Sequence, residues 1–248
     1  MNLKCTQSGA AVIVYDGDVL DQPDPQLFQA AYWHSRSAVR AEARGRGNAL
    51  VLDTDFGPAV LRNYRRGGWA SKVSSGRYLY TGFGRSRPVV EFRLLARLLE
   101  MGLPVPQPLA GLCLRHGLAY SAALLTREVP RTRTLADFLV KLDSEHPLWH
   151  EVGACVRRFH DAGVVHADLN ARNILLSETE AGKNVVYLVD FDRGRIGQPN
   201  KRASAANLRR LKRSLVKLWP NDELSGLEQR WSQLVRGYRS ALIATSET

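Results

Sequence analysis

Residues 166–176 read HADLNARNILL: a histidine, an aspartate and an asparagine fall within eight positions, and an apolar run follows at once. Asp and Asn are common in turns because their side chains bond nearby backbone, so Asp168 by itself would be a polar turn or a helix cap. Its surroundings point elsewhere. Downstream, VYLVDFD (186–192) delivers Asp190 at the end of an apolar, strand-like run, 22 residues after Asp168. Upstream, ARGRGN (43–48) sets Gly45 and Gly47 just before another apolar run, AVLR (59–62) ends on the cation Arg62, and Glu91 follows on a helical pattern.

That order supplies the parts of a phosphoryl-transfer site. Moving a γ-phosphoryl group needs positioning and charge neutralisation around Mg²⁺ more than covalent help. A glycine-containing loop at Gly45 and Gly47 lets backbone approach phosphates, Arg62 pairs with them, and Glu91 fixes Arg62. Asp168 orients the acceptor hydroxyl and takes its proton, while Asn173 and Asp190 offer hard oxygen ligands to Mg²⁺. The spacing matches the kinase pattern H-R-D-L-x-x-x-N, here His166, Ala167, Asp168, Leu169 and Asn173. His166 is expected to hold the loop by packing and hydrogen bonding, without a catalytic part. The signals differ in strength: Gly45-Arg46-Gly47, Arg62 or Glu91 alone is an ordinary turn or surface residue, whereas the loop followed by VDFD is distinctive.

The rest of the chain is compatible with that reading. Its 248 residues suffice for one domain or two closely packed lobes, and no run of about 18 apolar residues predicts a membrane-spanning helix. The first 18 residues do not have the makeup of a secretory signal. Cys5, Cys113 and Cys155 lie far apart without a C-x-x-C spacing, so reduced thiols in a cytoplasmic protein are expected, not a disulfide frame or zinc site. Lys and Arg exceed Asp and Glu by 35 to 24, a net charge of +11 that bears on anionic partners and not on fold. The surplus gathers in two acid-free runs, 61–90 and 201–219.

Periodicity predicts a helix over 26–34, two strands over 48–64 around a turn at Asp55–Pro58, and a loop over 67–87. A helix follows from Pro88 to a stop at Gly102, then an extended LPVPQP (103–108) and a hairpin over 109–127 around His116 and Gly117. Helices are expected from Thr134, from Pro147 to Gly163, and twice more after Asp192. A strand-rich first half and a helical second half make an α+β protein of two lobes, residues 1–127 and 128–248, joined near Thr126–Arg131.

In LRNYRRGG (61–68), EFRLLARLLEMGLPVPQPLAG (91–111), HADLNARNILL and VDFDRGRI (189–196), the chain resembles the bacterial lipopolysaccharide kinases, most closely those acting on 3-deoxy-D-manno-octulosonic acid (Kdo). The resemblance implies a protein-kinase-like fold with a small β-rich N-lobe, a nucleotide-binding one, and a short helical C-lobe. It implies ATP and Mg²⁺ as cofactors, with phosphate going to the 4-hydroxyl of a Kdo sugar on a lipid A precursor in lipopolysaccharide core synthesis. The place of work would be peripheral, at the cytoplasmic face of the inner membrane. Position by position, Asp168 resembles the catalytic base, Asn173 and Asp190 the metal ligands, and Gly45, Gly47, Arg62, Glu91 and Glu128 the nucleotide-contacting set. Two residues depart from general kinases: Arg62 stands where a strand lysine is usual, and Asp192 where the metal motif has Gly.

No A-P-E signature follows Asp190, which favours a small or lipid-linked acceptor over a peptide. Two other readings stay open. One is a heptose or other sugar kinase with the same loop; the other is a non-catalytic pseudokinase that binds anionic lipid, against which stand Asp168, Asn173 and Asp190. Nucleic acid is not an expected partner. Finally, SAANLRRLKRSLVKLW (204–219) sets Leu208, Leu211, Leu215, Leu218 and Trp219 on one helical stripe. Arg209, Arg210, Lys212, Arg213 and Lys217 lie largely on the other faces, where they are expected to meet anionic lipid headgroups of a membrane surface or the phosphates of a lipid A precursor.

Overall fold

The N-terminal run AVIVYD, β2 (Ala11–Asp16), is buried at every position but Val12, whereas its partner β1 (Leu3–Ser8), LKCTQS, is exposed at nearly all. That contrast suits an inner strand and a polar edge strand. The strands β3 (Val39–Ala43), β4 (Ala49–Leu52), β5 (Ala59–Asn63), β6 (Tyr78–Leu79), β7 (Pro108–His116) and β8 (Ala119–Arg127) complete an antiparallel sheet. Its order is β1-β2-β7-β8-β5-β4-β3, with β6 also on β8. The expected strands over 48–64 and the hairpin at Gly117 are present, and an N-terminal hairpin that turns at Gly9, φ +57°, extends the sheet. Ile13, Leu52, Leu61, Leu109 and Leu125 meet Phe28 and Trp33 in one buried cluster.

The helix expected over 26–34 is broken. Pro25–Phe28 form a 3-10 turn capped by Asp24, Gln29 is extended, and α1 spans Ala30–Ser35. In a continuous helix Phe28 and Trp33 would point about 140° apart. The break lets both enter the same core, and Trp33 Nε1 donates to the Leu27 carbonyl at 2.8 Å. The next helix, α2 (Arg87–Glu100), has Pro88 in its first turn and buries Val89, Phe92 and Leu95. Gly102, at φ +68°, closes it, with Gly102 N–H on Leu99 O and Leu103 N–H on Leu98 O. These are the two bonds of a Schellman stop.

The computed structural model describes residues 1–43, 49–64, 77–139, 141–178, 184–220 and 224–240. Contacts divide it into two compact units, residues 1–97 with 106–128 and residues 98–105 with 129–248. Residues 98–105, the end of α2 and the start of the connection after it, belong with the second unit. There Arg158 Nη2 donates to Gly102 O at 3.0 Å and Leu188 N–H to Pro104 O at 3.1 Å.

The second unit starts with β9 (Thr132–Thr134) and α3 (Leu135–Phe138), the latter begun by a Thr134/Asp137 capping box. Among the described residues of the helix expected from Thr134, four are α-helical, and Lys141 and Leu142 N–H both turn back onto Phe138 O. Then come α4 (Leu148–Asp161), β10 (Val164–Val165), β11 (Ile174–Glu178), β12 (Asn184–Leu188), β13 (Arg195–Ile196), α5 (Lys201–Leu218) and α6 (Ser225–Ser240). β11 lies between β12 and β9, and β10 pairs with β13. α4 and α6 cross at Gly153 and Gly237: a Cβ on Gly153 would lie 1.9 Å from Leu234 O, and one on Gly237 1.9 Å from His150 O. Only glycine permits this approach. Among the described residues no helix is long and apolar enough to cross a membrane. All three cysteines are free, Cys113 and Cys155 buried.

Candidate active site

In the first unit β5 carries Arg62 as its penultimate residue, and α2 brings Glu91 to it. Arg62 Nη2 donates to Glu91 Oε1 at 2.5 Å, and Tyr64 OH donates to Glu91 Oε2 at 2.5 Å. The Arg62 guanidinium also lies over the Tyr64 ring, 4.6 Å from its centre. Glu91 is 2% exposed, so water screens its charge little and both partners act on it at close range. Removing one member of a buried pair leaves the other uncompensated, at a cost of about 3 kcal/mol or more. Arg62→Ala and Glu91→Ala are each expected to lower stability and phosphate positioning, and the double variant to lose less than the sum. A double-mutant cycle on kcat/KM and on chemical denaturation checks this, and strictly additive losses would refute the pairing. Arg62→Lys is expected to keep partial activity, because charge survives and the planar fork does not.

The Glu128 carboxylate is engaged by Arg40 of β3, which also meets Asp53 Oδ1 at 3.1 Å. Gly45 and Gly47 lie outside the described residues.

In the second unit the quoted loop lies between β10 and β11. His166 organises it. Its Nδ1 accepts the Asp168 N–H at 3.1 Å, which leaves Nε2–H to donate to Val189 O at 3.0 Å. Val189 N–H in turn donates to Asn173 O at 3.0 Å. The residue before Asp190 is thereby clamped on both sides by the loop that carries Asp168. The Phe191 ring, fully buried, stacks on Phe159 at 5.8 Å and lies 4.7 Å from the His166 ring. Asp190 itself adopts φ +64°, the left-handed region that Asp tolerates better than most residues. Residues held there against preference concentrate at functional sites.

Asp168 is the exposed member, with 55% of its side chain accessible. Asn170 Nδ2 donates to its Oδ2 at 3.1 Å and to its backbone O at 3.0 Å, while Arg210 Nη1 lies 3.6 Å from its Oδ1. Asn173 Nδ2 donates to Asp168 O at 2.9 Å, which orients the amide so that Oδ1 is its acceptor end. A carboxylate at Asp190 and an amide oxygen at Asn173 are the hard donors Mg²⁺ prefers, and Mg²⁺ completes its shell with water and phosphate. The donor set fits that ion.

Sequence reading missed Asn170, Asn207, Arg210 and Ser214 as parts of this site. The last three lie on α5. Asn207 Nδ2 donates to His166 O at 2.8 Å and its Oδ1 accepts the His166 N–H at 3.2 Å; Ser214 Oγ accepts the Ala171 N–H at 3.2 Å. A signal was present, since Asn207 is a polar residue four positions before Leu211 and in register with Leu215. The expected stripe is corrected accordingly. Asn207, Leu211 and Leu215 are buried, while Leu208, Leu218 and Trp219 are half-buried. A buried amide is retained here because it satisfies two backbone groups of the loop.

His160 of α4 joins the same network, with Nε2 3.3 Å from Asn207 Oδ1 and Nδ1 2.8 Å from Tyr238 OH. Burial is the main cause that pushes both His160 and His166 below the ordinary imidazole range. Their folded values lie below the unfolded value of about 6.5, so the unfolded chain takes up protons that the native state refuses. Stability is full above that value and declines as pH falls below it, by about 1.4 kcal/mol per pH unit for each histidine kept neutral. Melting curves between pH 7.5 and 5.5 are expected to show this fall, with His160→Gln reducing the slope; a melting temperature flat across that range would refute it.

Comparisons with known proteins place the chain in one family. The family model for the lipopolysaccharide kinase (Kdo/WaaP) family matches residues 30–238. A 3-deoxy-D-manno-octulosonic acid kinase of Xanthomonas euvesicatoria pv. vesicatoria is 43% identical over 233 residues, covering 94% of this chain and 91% of that protein. One of Stenotrophomonas maltophilia is 41% identical with the same coverage. A solved structure, WaaP in complex with acyl carrier protein, is 19% identical with a TM-score of 0.55, covering 90% of this chain and 88% of that one. It shares the kinase-like fold.

Proposed function

The chain belongs to the lipopolysaccharide kinase (Kdo/WaaP) family, and from that premise we propose that it transfers the γ-phosphoryl group of ATP to the 4-hydroxyl of a Kdo sugar on a lipid A precursor. Asp168 is the base: exposed, held by Asn170, and able to accept the acceptor's proton. Asn173 Oδ1 and Asp190 would hold Mg²⁺, which when bound would supply charge neutralisation at the phosphates. Arg62, fixed by Glu91, is the phosphate-contacting cation, and Gly45, Gly47 and Glu128 complete the nucleotide-contacting set. The observation that carries the reading is the double clamp on Val189, which ties the loop of Asp168 and Asn173 to the turn of Asp190.

A transfer assay with γ-labelled ATP and Mg²⁺ tests it, using Kdo-lipid, heptosyl-lipid and peptide acceptors. Label is expected on the Kdo-lipid. Label on the heptosyl-lipid alone would make the chain a heptose kinase, and no label on any acceptor would favour a lipid-binding pseudokinase.

An acceptor anchored in a bilayer asks for an enzyme at its surface, and the exposed cations of α5 support a peripheral place at the cytoplasmic face of the inner membrane. Each contributes on the order of 1 kcal/mol near an anionic surface, screened beyond about 8 Å at physiological salt. Lys212 is engaged with Glu228 at 2.8 Å and Arg210 lies beside Asp168, so Arg202, Arg209 and Arg213 are the cations to reverse. Wild type is expected to bind vesicles containing anionic lipid and to be released by salt. The triple change to Glu is expected to abolish that binding with nucleotide affinity unchanged. Equal binding to neutral vesicles would refute the electrostatic account.

A further inference from the structure

α5 presents one face to the catalytic loop, through Asn207 on the His166 backbone, Arg210 on the Asp168 carboxylate and Ser214 on the Ala171 N–H. Residues spaced by three, four and seven share a helical face, so these contacts form one row along the helix. Two of the three have a structural explanation. Asn207 is buried and satisfies both the N–H and the carbonyl of His166, and Ser214 satisfies one more loop N–H. Arg210 does not fit that explanation. Its side chain is 46% exposed, that of Asp168 is 55% exposed, and their separation is 3.6 Å. An ion pair so open to water adds little to stability. The placement of a guanidinium beside the base therefore points to a ligand.

We infer that Arg210 is the specificity-determining residue for the acceptor and receives the carboxylate of its acid sugar. This rests on the Kdo-kinase reading above and deepens it. A hydroxyl that gives its proton to Asp168 must come within hydrogen-bond reach of it, which brings the rest of that sugar to Arg210. Asn170 occupies Asp168 Oδ2, and Arg210 stands at Oδ1. The acceptor class is an octulosonic acid, which carries a carboxylate on the sugar whose hydroxyl reacts. A planar guanidinium pairs with a carboxylate through two parallel N–H donors, a match that a neutral sugar cannot make. Arg210 thus shifts from Asp168 to the incoming carboxylate and sets the sugar's orientation, and Asp168 is left to the hydroxyl.

The test uses the full chain and a Kdo-bearing lipid A precursor in mixed micelles, with the sugar carboxyl free or as its methyl ester. Wild type, Arg210→Gln and Arg210→Lys are compared. Arg210→Gln is expected to raise KM for the free acid about 10- to 100-fold, the worth of charge-assisted hydrogen bonds, with kcat and the KM for ATP little changed. Esterification should impose the same loss on wild type and almost none on Arg210→Gln. Arg210→Lys should recover part of the loss and, if the Gln variant does not fold, its weakened preference for acid over ester decides the matter. Equal losses of kcat on acid and ester with unchanged acceptor KM would overturn the inference and assign Arg210 to the transferring phosphoryl group. Wild type that favours neither acceptor form would also overturn it. Wild type that labels no Kdo acceptor would overturn the parent reading, and this one with it.

Discussion

Replacing Asp168 by Asn is expected to lower turnover by about 10² to 10⁴ while nucleotide affinity stays near wild type, the range for losing a positioned general base. Asn is the sharper choice over Ala because it keeps the shape that Asn170 and the loop hold. The backbone of Asp168 anchors the Asn170 and Asn173 side chains at 3.0 and 2.9 Å, so it does not depend on the carboxylate. What Asn lacks is the capacity to accept the acceptor's proton. Single-turnover rates with saturating ATP and acceptor separate this from a binding defect. A variant with near-normal turnover would remove the central assignment.

Asp190 carries the second large effect, and its backbone decides how to test it. At φ +64° an alanine would be strained by about 1–2 kcal/mol, so Asp190→Ala mixes lost charge with a distorted turn. Asn tolerates the same conformation. Asp190→Asn is therefore expected to fold normally and to weaken Mg²⁺-dependent nucleotide binding by at least about 100-fold, since loss of a supporting partner outside the ligand shell alone commonly costs 10- to 100-fold. Calorimetric titration with ATP at varied Mg²⁺ reads this directly. Metal affinity left unchanged while chemistry slows would refute the ligand role. Asp190→Ala should lose the same binding and some stability, and the difference between the two variants measures the strain in the turn.

Much of this protein was legible in its residues because the deciding signals are local. The spacing from Asp168 to Asn173 and the strand-then-acid pattern at Asp190 lie in short windows. So do the Pro88 start and Gly102 stop of α2 and the Gly117 turn between β7 and β8, where backbone geometry depends on a few side chains. The helix over 26–34 failed for the opposite reason: its break at Gln29 serves the burial of Phe28 and Trp33 in one core, a demand that arises only once the sheet exists. The short α3 was likewise not announced by its own residues.

The sequence by itself determined the kinase-like class and singled out Asp168, Asn173, Asp190, Arg62 and Glu91 as candidates, since the first three fall in motifs whose spacing is set by backbone reach. Tertiary structure alone decided what holds them. The Glu91 carboxylate meets Arg62 across 29 positions, and Asn207 grips His166 across 41. Arg210, read from sequence as one of the α5 cations that meet an anionic surface, stands 3.6 Å from Asp168. Such partners are chosen by where the folded chain brings two backbones together. A helical pattern fixes which residues share a face, but not what that face is packed against.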